Sequence, residues 1–243
     1  LIEILKKVRK GDELDITQTK NWLKRIKKWK ALYPLFATSY KQTNLSPQQT
    51  IALVGEENQN AFFTTDVGQH QMWSAQLINC EPKKWISSSG LGTMGFGLPA
   101  AIGAKIGNLK QDVICISGDS SFQMSIQELG TIAQYNLGIK AVIVNNGWQG
   151  MVRQWQESFY GNRFSNSYMR NGMPNFREVA NAYGIAGFQI STLEDLKHLI
   201  VLLENNNEPA IIDVNVIENE NCYPMVAPGR SNSQMLGLEK QNI

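Results

Sequence analysis

The sequence lacks the long apolar runs and the strong charge that mark membrane proteins and nucleic-acid-binding proteins. None of its 243 residues belongs to a stretch that approaches the ~20 apolar residues of a membrane-spanning helix. The net charge is only +2, so neither a nucleic acid nor a membrane is the expected partner. The three cysteines, Cys80, Cys115 and Cys222, are widely spaced, which is typical of a reducing compartment.

Charge is distributed unevenly along the chain. Residues 1–30 carry ten Lys or Arg against four Asp or Glu, whereas the rest is slightly acidic. Because Trp22, Ile26 and Trp29 recur at helical spacing between lysines, we interpret this segment as a solvated amphipathic connector. A nucleic-acid-binding arm is the alternative. The chain begins at Leu1 within a helix-like pattern that continues to Val8, from which we expect an N-terminal part outside this sequence.

Apolar runs and helical patterns alternate from residue 61 onward. At 42% hydrophobic residues the chain can bury a core. The alternation predicts an α/β fold, a mostly parallel six-stranded sheet with helices on both faces. Strands are predicted at 61–65, 85–87, 113–117, 141–144, 186–190 and 210–216. Helices are predicted at 71–78, 99–106, 176–183 and 192–203, with another opened by Ser46 and Pro47.

Polar residues follow two of the predicted strands. Asp119 comes directly after Gly118, at the end of the strand 113–117, and Asn145 and Asn146 end the strand 141–144. Open parallel sheets place ligands at the carboxyl ends of their strands, so a carboxylate and an amide oxygen are expected side by side. Two hard oxygen ligands with a helix N-terminus between them suit a magnesium ion that holds a diphosphate. The alternative is that Asp119 merely caps a helix.

The connection between these strand ends and the stretch after them are less regular. We predict one helix that opens at Ser120 or Ser121 and buries one apolar face. That face comprises Phe122, Ile126, Leu129, Ile132 and Ala133. Residues 147–175 show no clear period, which predicts a functional loop region. Met151 and Trp155 would share a face on a helical turn, either as core packing or as the lining of a pocket.

Two further segments are candidates for ligand contact. Gly68, Gln69 and His70 follow the first strand and can present hydrogen-bond donors to phosphate oxygens. His70 is one of only two histidines, and a satisfied structural role is its alternative. Residues 90–97 contain four glycines, which would let the backbone approach a flat ligand or form a tight turn. No lysine stands in the position that a phosphate-binding P-loop requires.

The two strand ends together resemble the thiamine-diphosphate signature, in which Gly-Asp-x is followed by Asn-Asn after a spacer in the twenties. Here the spacer from Ser121 to Val144 has 24 residues. Over about residues 46–230 the chain is similar to the catalytic subunit of the acetohydroxyacid synthase (acetolactate synthase) family. The resemblance is carried by residues 67–73, 90–101, 121–124 and 149–155. Residue 120 is Ser where thiamine enzymes generally carry Gly.

The resemblance implies a role for each candidate residue. Diphosphate contacts are implied for Val67, Gly68, Gln69, His70, Ser120 and Ser121. Contacts with the aminopyrimidine ring are implied for Gly92 and Met94. Met124 would support the bent conformation of thiamine diphosphate, and Gly150 and Met151 would line the cofactor. Mg²⁺ would be held by Asp119, Asn146 and the carbonyl of Trp148, and Trp155 would shape the pocket for the second substrate.

The resemblance also implies an activity and its partners. The activity is decarboxylation of pyruvate and condensation with pyruvate or 2-ketobutyrate, in branched-chain amino acid biosynthesis. The implied cofactors are thiamine diphosphate, Mg²⁺ and FAD, whose site would lie mostly outside this segment. The implied assembly is a homodimer or larger, with an active site shared between subunits and a regulatory small subunit, in a bacterial cytoplasm or plastid stroma. Alternatives are a pyruvate oxidase, a decarboxylase or a non-catalytic docking subunit.

The implied domain organisation divides the chain into three parts. Residues 1–45 would be the tail of an FAD-carrying middle domain and its linker. Residues 46–230 would form the domain that binds thiamine diphosphate and Mg²⁺, and residues 231–243 a C-terminal tail. The glutamate that activates the cofactor in this family belongs to a separate N-terminal domain, so we expect no catalytic side chain in this segment.

Overall fold

The computed structural model describes residues 16–33, 45–204 and 208–237, which divide between two units. One unit comprises Leu1–Tyr40 and Tyr223–Ile243, and the other comprises Lys41–Cys222. In the first, the predicted amphipathic helix is present as α1 (Ile16–Leu32), in which Trp22 and Trp29 pack edge to face at 5.6 Å. The helix predicted near Leu1 to Val8 lies outside the described residues. No described helix combines the length and apolarity needed to cross a bilayer.

The strands described within Lys41–Cys222 form one six-stranded parallel sheet in the order β2-β1-β3-β4-β6-β5. They are β1 (Phe62–Thr65), β2 (Trp85–Ser87), β3 (Val113–Gly118), β4 (Ile139–Asn145), β5 (Ala186–Ile190) and β6 (Ala210–Asn215). The predicted α/β fold is confirmed. Because every pair is parallel, all carboxyl ends emerge at one edge of the sheet.

Helices cover both faces of the sheet, because successive residues of a buried strand point to opposite sides. In β3, Ile114 and Ile116 pack into one core, whereas Val113 and Cys115 pack into the other. The helices are α2 (Pro47–Glu57), α3 (Gln69–Leu77), α4 (Gly97–Gly107), α5 (Asp119–Gln123), α6 (Leu129–Tyr135), α7 (Gly150–Phe159), α8 (Phe176–Ala182) and α9 (Asp195–Glu204). The first core holds α2, α3 and α9, and the second holds α4, α5, α6 and α8.

The prediction of a single helix after β3 is wrong. The chain forms the short helix α5, then a 3₁₀ turn (Ile126–Glu128), then α6. The helix is interrupted at Ser125, whose φ of −131° and ψ of 23° lie outside helical geometry. The apolar face survives the interruption, since Phe122, Leu129 and Ile132 are all buried in the second core.

The prediction of an aperiodic loop over residues 147–175 is wrong for part of that stretch. This stretch contains α7 and a 3₁₀ turn (Arg170–Gly172). The buried residues of α7 are the polar Arg153 and Gln154. The apolar residues of α7, Met151, Val152, Trp155 and Phe159, recur at helical spacing but face away from the core. The helical period was therefore present in the sequence and the loop prediction overlooked it.

Candidate functional site at the carboxyl edge of the sheet

The carboxyl ends of β1, β3 and β4 surround a cavity of about 230 Å³. Most of the predicted site residues line it, although they come from four separate stretches of the chain. They are Val67, Gly68, Gln69, His70, Met94, Asp119, Ser120, Ser121, Asn146, Trp148, Gly150 and Met151. The sheet therefore brings together the candidate phosphate-contacting and cation-holding residues in one place.

The Asp119 side chain, at the end of β3, is hydrogen-bonded to the turn that follows β4. Its Oδ1 accepts a hydrogen bond from the backbone N–H of Ser120 at 2.6 Å, and its Oδ2 accepts one from Gly147 at 2.7 Å. The carboxylate therefore lies against the turn that follows Asn146. Burial raises the pKa of Asp119 to about 6, although the Ser120 and Gly147 hydrogen bonds act in the opposite direction. A cation at this site would favour the charged form.

Asn146 begins a tight turn, and a backbone N–H of that turn fixes the Asn146 side chain by a hydrogen bond. The backbone N–H of Trp148 donates to Asn146 Oδ1 at 3.1 Å. Gly147 has a φ of +74°, and a Cβ there would lie 2.8 Å from Nε of Arg170. A larger residue at 147 would thus be strained by the backbone and crowded by the arginine. Trp148 is fixed by its ring contact with Tyr168, whose centroid is 4.8 Å away.

His70 faces a buried carboxylate at the end of β1. Its Nε2 lies 3.6 Å from Oδ2 of Asp66, which also accepts a hydrogen bond from the Ser117 hydroxyl. The other oxygen, Oδ1, accepts one from the N–H of Gly97 at 2.5 Å. Burial raises the pKa of Asp66, but His70, Ser117 and Gly97 outweigh it and hold that pKa below its usual value. Sequence reasoning gave Asp66 no role, although its place directly after a strand was a visible signal.

Three predicted residues do not line this cavity. A Cβ on Gly92 would lie 3.4 Å from Cγ2 of Val67, so Gly92 is next to the cavity wall. Met124 is 57% exposed and lies beside Gly95. Trp155 lines a second cavity of about 650 Å³, whose other lining residues are Met151, Val152, Gln156, Tyr160 and Arg163. Because Met151 lines both cavities, they share a wall on α7.

Several residues at the site were missed from the sequence. Trp73, Gly118, Gln149 and Val152 also line the smaller cavity. Gln154 lies behind the cavity, fully buried, and accepts a hydrogen bond from Nε2 of Gln69 at 2.8 Å. The only local signal for Gln154 is its position directly before Trp155, within the stretch 149–155 that resembles the family.

The residues of the smaller cavity fit a diphosphate held by a divalent cation. Trp73 Nε1 and Trp148 Nε1 are buried and have no hydrogen-bond partner among the described residues. Buried polar atoms are normally paired, so these nitrogens are available to a polar ligand. In the described ranges no three His, Cys, Asp or Glu side chains cluster as metal ligands. One carboxylate and one amide oxygen instead suit Mg²⁺, which takes its remaining ligands from phosphates and water.

Comparison with known proteins agrees with this geometry. Residues 66–214 match the family model of the thiamine pyrophosphate enzyme, C-terminal TPP binding domain. The chain is 55% identical over 242 residues to the acetolactate synthase large subunit of Cyanidium caldarium. The aligned region covers 99% of this chain and 41% of that protein. It is 54% identical over 220 residues to the Porphyra purpurea large subunit, covering 90% of this chain and 37% of that protein.

A bacterial relative is also similar. The isozyme 2 large subunit of Escherichia coli acetolactate synthase is 47% identical over 174 residues, which are 71% of this chain and 32% of that protein. The resemblance to acetolactate synthase large subunits is confirmed, and the chain spans about two fifths of the length of the first two relatives. Since the family model covers more than half of its residues, the chain belongs to the thiamine pyrophosphate enzymes and carries their C-terminal cofactor-binding domain.

Proposed function

We propose that this chain is the cofactor-holding C-terminal part of an acetolactate synthase large subunit. Such an enzyme decarboxylates pyruvate and joins the remaining two-carbon unit to pyruvate or 2-ketobutyrate, in branched-chain amino acid biosynthesis. The observation that carries the proposal is the meeting of Asp119 and Asn146 at one buried cavity. The chain that carries these two residues is 55% identical to the acetolactate synthase large subunit from Cyanidium caldarium.

The proposed metal ligands are Asp119, Asn146 and the carbonyl of Trp148. The carboxylate and the amide oxygen are hard oxygen donors of the kind Mg²⁺ prefers, and diphosphate oxygens and water would complete its coordination. The hydrogen bond from Gly147 to Asp119 supports this assignment, because it keeps the carboxylate beside the turn that carries the other two residues.

The proposed diphosphate-binding residues are Val67, Gly68, Gln69, His70, Ser120 and Ser121. Helix α3 begins at Gln69, so its first N–H groups have no acceptor within the helix and can donate to phosphate oxygens. Both amide hydrogens of the Gln69 side chain are already donated, to Gln154 Oε1 and to the carbonyl of Glu220. We therefore expect Gln69 to contact the diphosphate through its backbone N–H.

The remaining proposed roles concern the organic part of the cofactor and the substrate. Gly92 and Met94 would contact the aminopyrimidine, Met124 would support the bent cofactor, and Gly150 and Met151 would line it. Bound thiamine diphosphate supplies a carbon nucleophile for the keto group of the substrate. The residues of this chain bind and orient that cofactor, and Trp155 shapes the second cavity for the acceptor keto acid.

The activating glutamate is proposed to come from the N-terminal domain of another subunit. The proposed assembly is thus a homodimer or larger with shared active sites, FAD held mostly by the middle domain, and a regulatory small subunit. Its proposed location is a bacterial cytoplasm or plastid stroma. Residues 46–230 are the proposed thiamine-diphosphate domain, flanked by the linker segment 1–45 and the tail 231–243.

Product analysis tests the proposal. The full-length protein that carries this chain, supplied with pyruvate, thiamine diphosphate, Mg²⁺ and FAD, is expected to form acetolactate. Residues 1–243 alone are expected to turn over little, and full-length rates from them would contradict the shared site. Acetaldehyde or acetyl phosphate as the main product would instead indicate a decarboxylase or a pyruvate oxidase. Unchanged activity in Asp119→Ala would indicate a non-catalytic docking subunit.

A further inference from the structure

A row of three buried side-chain amides leads from the cavity to the backbone of Cys222. Asn146 and Gln69 both line the cavity, and Gln154 lies between Gln69 and Cys222. Their exposed fractions are 6%, 4% and 0% respectively. The row therefore lies in the protein interior, where each amide depends on its protein partners for its orientation.

The orientation of Gln154 is fixed by the backbone. The N–H of Cys222 donates to Gln154 Oε1 at 2.8 Å, and Gln154 Nε2 donates to the carbonyl of Cys222 at 2.9 Å. A backbone N–H can only donate and a carbonyl can only accept. If the amide of Gln154 were reversed, two donors would face each other and two acceptors would face each other. Only one of its two orientations is therefore compatible with its neighbours.

That orientation fixes Gln69 in turn. Gln69 Nε2 donates to Gln154 Oε1 at 2.8 Å and to the carbonyl of Glu220 at 3.0 Å. Since both of these partners are acceptors, the amide nitrogen of Gln69 must face them. Its Oε1 must then face the other way, toward Nδ2 of Asn146, which lies 3.4 Å from it.

The last amide in the row is the proposed metal ligand. With Nδ2 of Asn146 facing Gln69, its Oδ1 faces away and accepts from the N–H of Trp148 at 3.1 Å. An amide oxygen has two lone pairs, so one remains for a cation. A reversed Asn146 would offer a metal ion only N–H groups, which cannot coordinate it.

We propose that Gln154 is a positioning residue that, through Gln69, turns the oxygen of Asn146 toward the metal site. The inference rests on the proposed function, because it takes Asn146 as a ligand of Mg²⁺. Gln154 itself touches neither cofactor nor substrate and acts only through the row of amides. A cation that enters the site would therefore find the Asn146 oxygen already oriented for coordination.

Two further features hold the row in place. Gly150 leaves room for it, because a Cβ there would lie 2.0 Å from Oε1 of Gln69 and 2.9 Å from Nδ2 of Asn146. On the same helix, the buried Arg153 donates to Oδ1 of Asn221 at 3.0 Å and pairs with Glu157 at 2.9 Å. Asn221 in turn donates to Oε2 of Glu157 at 3.1 Å. These two hydrogen bonds of Asn221 fix the segment that contributes the carbonyl of Glu220 and the backbone of Cys222.

The first arm of the test observes the amides themselves. Gln154→Met removes the amide with little change in side-chain length, and Gln134→Met makes the same change on the exposed surface of α6. The side-chain NH₂ signals of Gln69 and Asn146 are recorded by ¹H–¹⁵N NMR on residues 1–243 without cofactor. In Gln154→Met both are expected to lose their chemical-shift dispersion and slow exchange, whereas Gln134→Met should leave them unchanged. Unchanged signals in Gln154→Met would overturn the inference.

The second arm measures the metal. Mn²⁺ is titrated by electron paramagnetic resonance in the presence of thiamine diphosphate, using the full-length protein. Loss of an outer-shell partner typically weakens metal binding by about 10- to 100-fold, and the same increase in Mn²⁺ dissociation constant is expected for Gln154→Met. Gln154→Glu keeps the acceptor for Gln69, so its dissociation constant should stay closer to that of the wild type. Gln69→Met combined with Gln154→Met should weaken binding no more than Gln69→Met alone.

The two arms separate this inference from the function on which it rests. If the wild-type protein binds no Mn²⁺ with thiamine diphosphate, the proposed metal site is wrong, and the NMR arm still decides whether Gln154 orients the row. If the wild type binds Mn²⁺ and Gln154→Met binds it equally well, the metal site stands and the positioning role is wrong. Should Gln154→Met not fold, Gln154→Glu decides: it supports the role if the Gln69 and Asn146 signals persist, and contradicts it if they vanish.

Discussion

Strands β3 and β5 each lead into an aspartate at the start of a helix, but the two carboxylates have opposite environments. Asp195, after β5, accepts from the N–H groups of Thr192 at 3.0 Å and Ser191 at 3.3 Å, at the surface. Hydrogen bonding from Thr192 and then from Ser191 lowers the pKa of Asp195. Asp119, after β3, is buried and accepts from a neighbouring strand end, and burial raises its pKa to about 6.

The position of the strand in the sheet explains the difference. Among the described strands β5 pairs only with β6, so it lies at an edge of the sheet. The N–H groups that donate to its aspartate belong to Ser191 and Thr192, in the same segment of the chain. β3 lies between β1 and β4, so its aspartate is enclosed by the segments that follow both neighbours. In this protein, the aspartate that follows the edge strand caps a helix, whereas the aspartate that follows the central strand is a candidate metal ligand.

The largest expected effect comes from removing each carboxylate in turn. Asp119→Ala should abolish metal-dependent binding of thiamine diphosphate, with a loss beyond the roughly 10- to 100-fold that an outer-shell change costs. Asp195→Ala is the matched control and should leave binding unchanged. The measurement is Mn²⁺ titration with thiamine diphosphate on the full-length protein. Equal binding by the two variants would remove the distinction between the strand ends.

The next effect comes from adding one carbon to a crowded and to an open position. Gly150→Ala places Cβ against Gln69 Oε1, so we expect a loss of about 1–3 kcal/mol in unfolding free energy and weaker Mn²⁺ binding. Gly103→Ala on α4 has open space within 4 Å and should gain up to about 1 kcal/mol from helix propensity. Urea unfolding measures both, and a stabilising Gly150→Ala would show that the cavity wall is not tightly packed.

A third test uses the pH dependence of stability. Burial raises the pKa of Asp213, within β6, to about 6 despite its hydrogen bond from Asn145. The folded state then resists ionisation, so this contribution is full below the unfolded pKa of 3.8 and is lost as pH rises through about 6. Asp213→Asn should remove that loss, on the order of 2 kcal/mol at neutral pH relative to pH 4.5.

The control for this test has the opposite sign. The pKa of Asp195 is lowered, so its contribution is present above 3.8 and is lost as pH falls through the lowered value. Asp195→Asn should therefore lose stability at neutral pH, where Asp213→Asn gains it. Urea unfolding at pH 4.5 and 7.5 measures both, and parallel pH curves for wild type and Asp213→Asn would contradict the buried ionisation.

The smallest expected effect concerns the cap alone. Thr192 Oγ1 accepts from the N–H of Asp195 at 3.1 Å, which completes a reciprocal cap at the start of α9. Thr192→Ala should lower the unfolding free energy by about 0.5–2 kcal/mol and leave Mn²⁺ binding unchanged. A change in metal affinity would mean that the edge strand communicates with the central one.

The sequence allowed the strands and the clustering of the site to be predicted, because both depend on local pattern and on parallel topology. Asp119 and Asn146 lie after apolar runs that could only be buried strands, and adjacent parallel strands bring their ends together. The break at Ser125 carried no such signal, since no glycine or proline stands between Asp119 and Leu129. The helical period of α7 was visible in Met151, Trp155 and Phe159, but the burial of its polar face was not, because the partners of that face lie far along the chain.

The role of Gln154 depends on a partner that no local pattern can reveal. Its hydrogen bonds reach Cys222, 68 residues along the chain, and Gln69, 85 residues before it. An isolated glutamine in a helix is usually solvated, so its burial had to be seen in the structure. Asp66 is a similar case, because its partners Gly97 and Ser117 come from two other segments.

The fixed orientation of Gln154 has a consequence for where this domain ends. The family match stops at residue 214, within the last strand of the sheet, yet the backbone groups that hold Gln154 and Gln69 belong to Cys222 and Glu220. A protein that extended the matched range only far enough to include all of β1 and β6 (residues 62–215) would retain every strand of the sheet and every residue that lines the cavity. It would nevertheless lose the backbone groups of Glu220 and Cys222 that orient the amides of Gln69 and Gln154. The smallest domain that keeps this orientation must therefore extend through Cys222.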